Sequence, residues 1–242
     1  MKKIFAFVIG AALMLSATQA FAQLSVGAGW LNSTETTKYT NGDPDKFNYN
    51  GLYIGGQYNL NIVGNFGVAP GFYMSALFGQ VFNQYKQGST TETYRARYRE
   101  IALNIPVNLN YTFDLGRDFG IFVYAGPVFQ LGVLSKSTYD FSASTLGVFA
   151  SGQWNYNEYT CKLKDSKGNE LDLKETKIGD YALNEVFGYR NMFNIYLGGG
   201  VGFQAGDFQV IVGYDHSMLN CSKINGENTS RSQIKVGLGL SF

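Results

Sequence analysis

One histidine, two well-separated cysteines and four prolines are all that this chain of 242 residues carries of those types. So few His and Cys leave no ligand set at the spacings that hold a metal. Charge imbalance is missing too: 19 basic against 18 acidic residues give a formal net charge of +1, and nothing in that balance points to nucleic acid. Past the N-terminus, no apolar run reaches the roughly 20 residues that a membrane-crossing helix needs. That excludes a helical membrane protein, but not one that crosses with strands. What the chain does have is glycine, at 30 residues, and aromatic side chains, at 16% of the total. Such a composition fits one all-β domain of many strands.

At the N-terminus Lys2 and Lys3 precede an apolar run from Ile4 to Leu15, and Ala20-Phe21-Ala22 stands before Gln23. This is the charge, apolar core and small-residue site of a secretory signal peptide, expected over 1–22. No cysteine at that point would take a lipid. Without Lys2 and Lys3, 17 basic residues face 18 acidic ones, a charge of −1. Residues 23–242 then read as one domain.

The clearest stretch runs from Glu100 to Leu134. Ile101, Leu103, Ile105, Val107, Leu109 and Tyr111 share one face by period two, and Glu100, Ala102, Asn104, Pro106 and Asn108 take the other. After a short polar turn, Ile121, Val123, Ala125, Pro127, Phe129, Leu131 and Val133 repeat the scheme. Each apolar run is as long as the roughly 9–11 residues a tilted strand needs to cross a bilayer. Similar alternation marks Leu24 to Trp30, Leu52 to Leu60, Val68 to Ala76, Phe193 to Phe203, Phe208 to Tyr214 and Ile234 to Phe242, which makes eight strands. Connections alternate in length: short at Asn61 to Asn65, Phe113 to Phe119 and Gln204 to Asp207, and long at Asn32 to Asn50, Asn83 to Thr91, Ser135 to Tyr189 and Asn220 to Arg231. The expected fold is therefore all-β, an eight-stranded antiparallel up-and-down transmembrane β-barrel with periplasmic turns and termini and extracellular loops. Its long third loop covers about 135–189. Closure removes the sheet edges that such strands would otherwise expose.

Three segments carry a family likeness: Arg99 to Tyr111 (REIALNIPVNLNY), Val123 to Val133 (VYAGPVFQLGV), and LGGGVGF followed by VIVGYDHSMLN. Their order resembles that of the PorT-type outer-membrane β-barrel family. The resemblance implies an outer-membrane protein of a Gram-negative cell, with some relatives tied to protein secretion. The long third loop departs from the compact family pattern. At the C-terminus the last strand ends on Phe242, which looks like the signal read by barrel-insertion machinery.

Candidate sites are few. Asp215, His216 and Ser217 are the letters of a nucleophilic triad, but neighbours on a strand point to opposite faces, so the chain reads as no enzyme. Gly198, Gly200 and Gly202 line one strand's inner face, where packing explains them better than a dinucleotide loop. No cofactor is expected. Cys161 and Cys221 fall in the third and fourth loops, and an exported protein leaves open a disulfide between them. A small hairpin is expected around Gly168. Arg95, Arg97 and Arg99 lie outward beyond the apolar band, where they would contact lipid phosphates or merely extend a solvated strand. On the inner face the last hairpin's register places Asp215 opposite Lys235, an internal ion pair with Glu100 as a third member. Pro70, Pro106 and Pro127 fall at one height on neighbouring strands, which predicts a β-bulge or missing ladder bonds there.

Eight strands leave an interior just wide enough for side chains to fill, so no open pore is expected. The role, structural, interaction or secretion-associated, would lie in the extracellular loops. The alternatives are a small-solute channel or transporter of the outer membrane and a soluble lipocalin-like binder. Expected partners are outer-membrane lipid, the insertion machinery, and an unidentified protein or glycan at the loops, with no nucleic acid.

Overall fold

The computed structural model describes residues 22–40, 42–87, 90–116, 118–145, 148–173, 177–178, 181–182 and 189–242. The expected leader at 1–22, apart from Ala22, and parts of the expected third loop lie outside these residues. In chain order the strands are β1 (Ala22–Tyr39), β2 (Asp45–Val63), β3 (Phe66–Gln87), β4 (Thr90–Gly116), β5 (Phe119–Thr145), β6 (Val148–Asn157), β7 (Lys162–Asp165), β8 (Glu170–Asp172), β9 (Lys177–Ile178), β10 (Tyr181–Ala182), β11 (Phe193–Ala205), β12 (Phe208–Ser217) and β13 (Glu227–Ser241). β9 and β10 pair only with each other.

Eight of these strands form a ring. β1 to β5 follow one another, β11 to β13 complete the order, and antiparallel pairings β1 with β13 and β5 with β11 close it. The expected strand number thus describes the ring, while β6, β7 and β8 extend the sheet from β5. β5 pairs with β11 as far as Leu131↔Phe193 and, from Lys136↔Asn157 onward, with β6 instead. Short turns such as Gly64-Asn65 and Gly206-Asp207 gather at one end, where Phe242 also bonds to Leu24. We call this the turn end and the opposite one the loop end.

The strands outrun their expected bounds. β1 continues to Tyr39 and β2 begins at Asp45, so most of the expected loop from Asn32 to Asn50 is paired strand, with Glu35 opposite Phe47. Most of the expected loop from Asn83 to Thr91 is likewise strand, and β5 runs on to Thr145. Thr34, Thr36, Thr37, Thr91, Thr93 and Tyr94 supply β-branched and aromatic residues there. What ends near Trp30 and Phe78 is the apolar outward face, not the strand.

Polarity is inverted relative to a water-soluble fold. Outward residues form an apolar belt on all eight ring strands, with Leu238 68% and Leu52 62% exposed. Many inward residues are polar and joined to one another, with an apolar cluster of Leu31, Tyr49, Leu77 and Tyr98 among them. One chain of hydrogen bonds runs from Tyr196 Oη to Gln130 (3.1 Å), from Gln130 to Asn104 (2.9 Å) and from Asn104 to Ser75 (2.9 Å), linking β11, β5, β4 and β3. Glycines make room for the bulkier inward side chains. A Cβ on Gly202 would stand 2.0 Å from the Phe122 ring, and one on Gly200 2.6 Å from the Tyr124 hydroxyl.

The three strand prolines lie together, and the ladder breaks around them without a register change. Between Pro70↔Val107 and Tyr73↔Asn104 the β3–β4 pairing is interrupted, as is β4–β5 between Pro106↔Val128 and Leu109↔Ala125. A missing amide donor accounts for such gaps. Pro106 points inward, while Pro70 and Pro127 point outward. The expected bulge is absent from this band. It sits higher, where Ile101 pairs with Leu134 but Ala102 with Gly132, leaving Val133 as the extra residue of β5. Below this point even-numbered residues of β5 face inward; above it Ser135 and Ser137 do.

Candidate functional site

At the loop end the interior of the ring holds a cluster of charged side chains. Arg231 of β13 is its hub, 3% exposed. Its two terminal nitrogens reach Glu35 on β1 (2.9 Å) and Glu100 on β4 (2.7 Å). Its own amide donates to Ser217 Oγ on β12 (2.8 Å). Arg190, just before β11, donates a second fork to Glu35, one bond of which is 2.7 Å, and its Nε to Glu158. Glu158 in turn accepts from Ser135 (2.9 Å) and Ser137 (2.6 Å) of β5. Tyr98 closes the set by donating to Glu100, with the Arg190 guanidinium 5.2 Å above its ring centre. Each of the three carboxylates bonds at least one of the two guanidiniums, the condition under which charge survives burial.

Nearer the middle of the ring, Lys235 Nζ lies 2.6 Å from Asp215 Oδ2. The register differs from the expected one: Asp215 faces Gln233 and Gly213 faces Lys235. The pair therefore forms along a diagonal, within reach of a long lysine side chain. Glu100 takes no part in it, because Arg231 holds that carboxylate instead.

Cys161 and Cys221 are both buried thiols and are not bonded to each other. The disulfide left open between them is not formed, and their surroundings differ: Cys161 packs with Tyr156 and Leu173, whereas Cys221 Sγ accepts from Asn194 Nδ2 (2.9 Å). Burial pushes the Cys221 thiol above its ordinary pKa. Arg95 and Arg99 are exposed and stand over the rings of Phe82 (5.5 Å) and Phe78 (5.9 Å), and Arg97 pairs with Asp140 (2.8 Å). His216 points outward and bonds Ser232 Oγ through Nδ1 (2.9 Å), on the opposite face from Asp215 and Ser217. Phe242 is 69% exposed on the outward face. The small hairpin exists as β7 and β8, where Asp165 accepts the amides of Lys167 and Asn169. The Asn169 side chain also bonds Asp165, and these bonds hold its carboxyl below the usual range. No cluster of three or more His, Cys, Asp or Glu that could hold a metal occurs among the described residues.

Three cavities follow one another along the axis. At the turn end a solvent-open vestibule of about 600 Å³ is lined by Asn59, Asn110 and Gln204. A small central cavity of about 70 Å³ surrounds Tyr53, Tyr124, Asp215 and Lys235, and shares Gln57, Phe122 and Gln209 with that vestibule. At the loop end a cup of about 780 Å³ opens above the ion cluster, with Glu35, Glu158 and Arg190 at its base. Cup and central cavity have no lining residue in common.

Sequence reasoning missed Glu35, Glu158, Arg190 and Arg231. Their signal was available in part: Leu31, Ser33, Glu35 and Thr37 keep one parity along β1, and Glu35 pairs with Arg231 across the seam of first and last strands.

No family model matches the chain, and no curated protein does. Among solved structures, Ail, the attachment invasion locus protein of Yersinia pestis, is 13% identical with a TM-score of 0.34, over 92% of this chain and 99% of that one. Neisserial surface protein A is 12% identical with a TM-score of 0.36, over 90% and 97%. The outer membrane protease OmpT from Escherichia coli is 8% identical with a TM-score of 0.28, over 93% and 98%. Scores this low define neither family nor function for this chain.

Proposed function

We propose that the chain is an outer-membrane β-barrel of a Gram-negative cell, closed to solutes, whose role is carried at the loop end. One observation carries this reading: all eight ring strands turn an apolar face outward around a hydrogen-bonded, ion-paired interior. In water such a surface would aggregate, and in a bilayer it is the lipid-facing band of a barrel. Arg95 and Arg99, just past that band, would meet lipid phosphates, and Phe242 would serve insertion. In this reading the termini are periplasmic, and the likeness to the PorT-type family suggests an interaction or secretion-associated task. The Arg231 cluster is what keeps the barrel shut. Insertion into a planar bilayer tests this directly: no conductance is expected from the unaltered chain. Steady conductance would favour the alternative, a small-solute channel, for which the open vestibule at the turn end is the supporting feature.

A further inference from the structure

The cup at the loop end has a lining of unusual composition. Tyr39, Tyr49, Tyr94, Tyr98, Tyr139 and Tyr189 all border it. They come from β1, β2, β4 and β5 and from the segment ahead of β11, so strand backbones rather than free loops set most of their positions. They are also braced. The Tyr49 and Tyr98 rings pack with centres 4.5 Å apart, and Tyr98 carries Arg190 on its face. Tyr94 and Tyr139 lie 6.1 Å apart and inclined by 31°. Tyr139 and Tyr189 both rest on the buried cluster of Tyr156, Cys161 and Leu173. Half-buried rings held in this way offer flat apolar faces and hydroxyl groups at little cost in ordering on binding.

Charge narrows the ligand class. Of the charges in the lining, Glu35 and Glu158 are held by Arg190, Glu227 accepts from Ser222, and Arg97 pairs with Asp140. Arg190, the cation at the base, spends its donors on Glu35 and Glu158 and is not available to grip a phosphate or carboxylate. Beside the rings stand neutral hydrogen-bonding groups, including Thr37, Ser137 and Thr229. A volume of about 780 Å³ is in the range of small-molecule sites, roughly 300–1,000 Å³. A ligand that is uncharged, rich in hydroxyls and yet apolar on one face meets all these conditions together.

We propose that the cup is a binding site for neutral carbohydrate, its sugar rings stacked on Tyr94 and Tyr139 and its hydroxyls bonded to the surrounding side chains. The inference rests on the reading of the loop end as the functional end. It does not require the barrel to be shut, so conductance and sugar binding succeed or fail separately.

The test is calorimetric titration of the full chain, held in a sugar-free zwitterionic detergent, with maltotriose, cellotriose and chitotriose. Inorganic phosphate and tetramethylammonium serve as charged probes. At least one trisaccharide should bind and the charged probes should not. Tyr94→Ala and Tyr139→Ala should each weaken binding about tenfold, near 1.4 kcal/mol, while Tyr94→Phe, which keeps the ring, should change it little. Saturation-transfer NMR on the unaltered chain gives a readout that needs no variant: protons of the sugar's apolar face should receive the strongest transfer. Failure of all three sugars to bind overturns the proposal, as does binding that is indifferent to both alanine variants or restricted to a charged probe.

Discussion

Arg231 and Glu35 stand directly opposite each other on the last and first strands of the ring, with their side chains 2.9 Å apart across the seam that closes it. Because Arg231 also holds Glu100, one guanidinium ties β13 to both β1 and β4. Removing it leaves Glu100 without a guanidinium and Glu35 with Arg190 alone. Arg231→Met should therefore cost on the order of 3–5 kcal/mol, read from urea unfolding of the protein refolded into lipid vesicles. A variant as stable as the parent would mean that water already screens the cluster.

The second charge pair gives a comparison rather than a loss. Lys235→Met strands Asp215, which is 3% exposed. Adding Asp215→Asn removes the stranded charge and should restore part of the lost heat stability in detergent. Equal melting of the single and double variants would show that the pair contributes nothing.

Thiol chemistry separates the two cysteines from a disulfide. Both are buried, and burial raises the Cys221 thiol's pKa, so the reactive thiolate is scarce at neutral pH. Maleimide should label neither in the folded protein and both after unfolding without reductant. Labelling that appears only after reduction would restore the bond between Cys161 and Cys221.

Hydrogen exchange should find a weak wall. Amides of Gly71, Phe72, Ile105 and Asn108, in or beside the gaps left by Pro70, Pro106 and Pro127, should exchange faster than those of β11 to β13. Uniform protection around the ring would contradict this.

Orientation is tested from outside the cell. Protease on intact cells should cut between Ser135 and Tyr189 and spare the Gly64-Asn65 turn. Cleavage at that turn instead would place the loop end in the periplasm.

The ring was legible because one side of each strand is apolar: Leu24, Val26, Ala28 and Trp30 alternate with smaller or polar residues and announce β1. Above Trp30 both faces of the same strand become polar, with Asn32, Thr34 and Thr36 on one side and Ser33, Glu35 and Thr37 on the other, and the signal vanishes while the strand continues. That is why Glu35 lay in a stretch read as loop, while Glu100 stood on a strand whose apolar face was plain. Hairpin registers also say nothing about partners across the lumen, so Glu100 was matched to Lys235, its neighbour in imagined height, rather than to Arg231. The proline band was legible because a missing donor is a local fact. The way the gap was absorbed was not, since pairing can lapse for two residues without shifting phase.

The extra residue at Val133 acts on β5 as a one-letter insertion acts on a reading frame. Everything below it is in one phase and everything above in the other. Were β5 to run through Val133 in plain alternation, without the bulge, Ser135 and Ser137 would turn outward and Lys136 inward, and Glu158 would lose both hydroxyls that hold it. The same device makes the two halves of the strand separable. The collar above can change in length and sequence while the lipid-facing half keeps its register, so the cup is free to vary on a wall that stays the same.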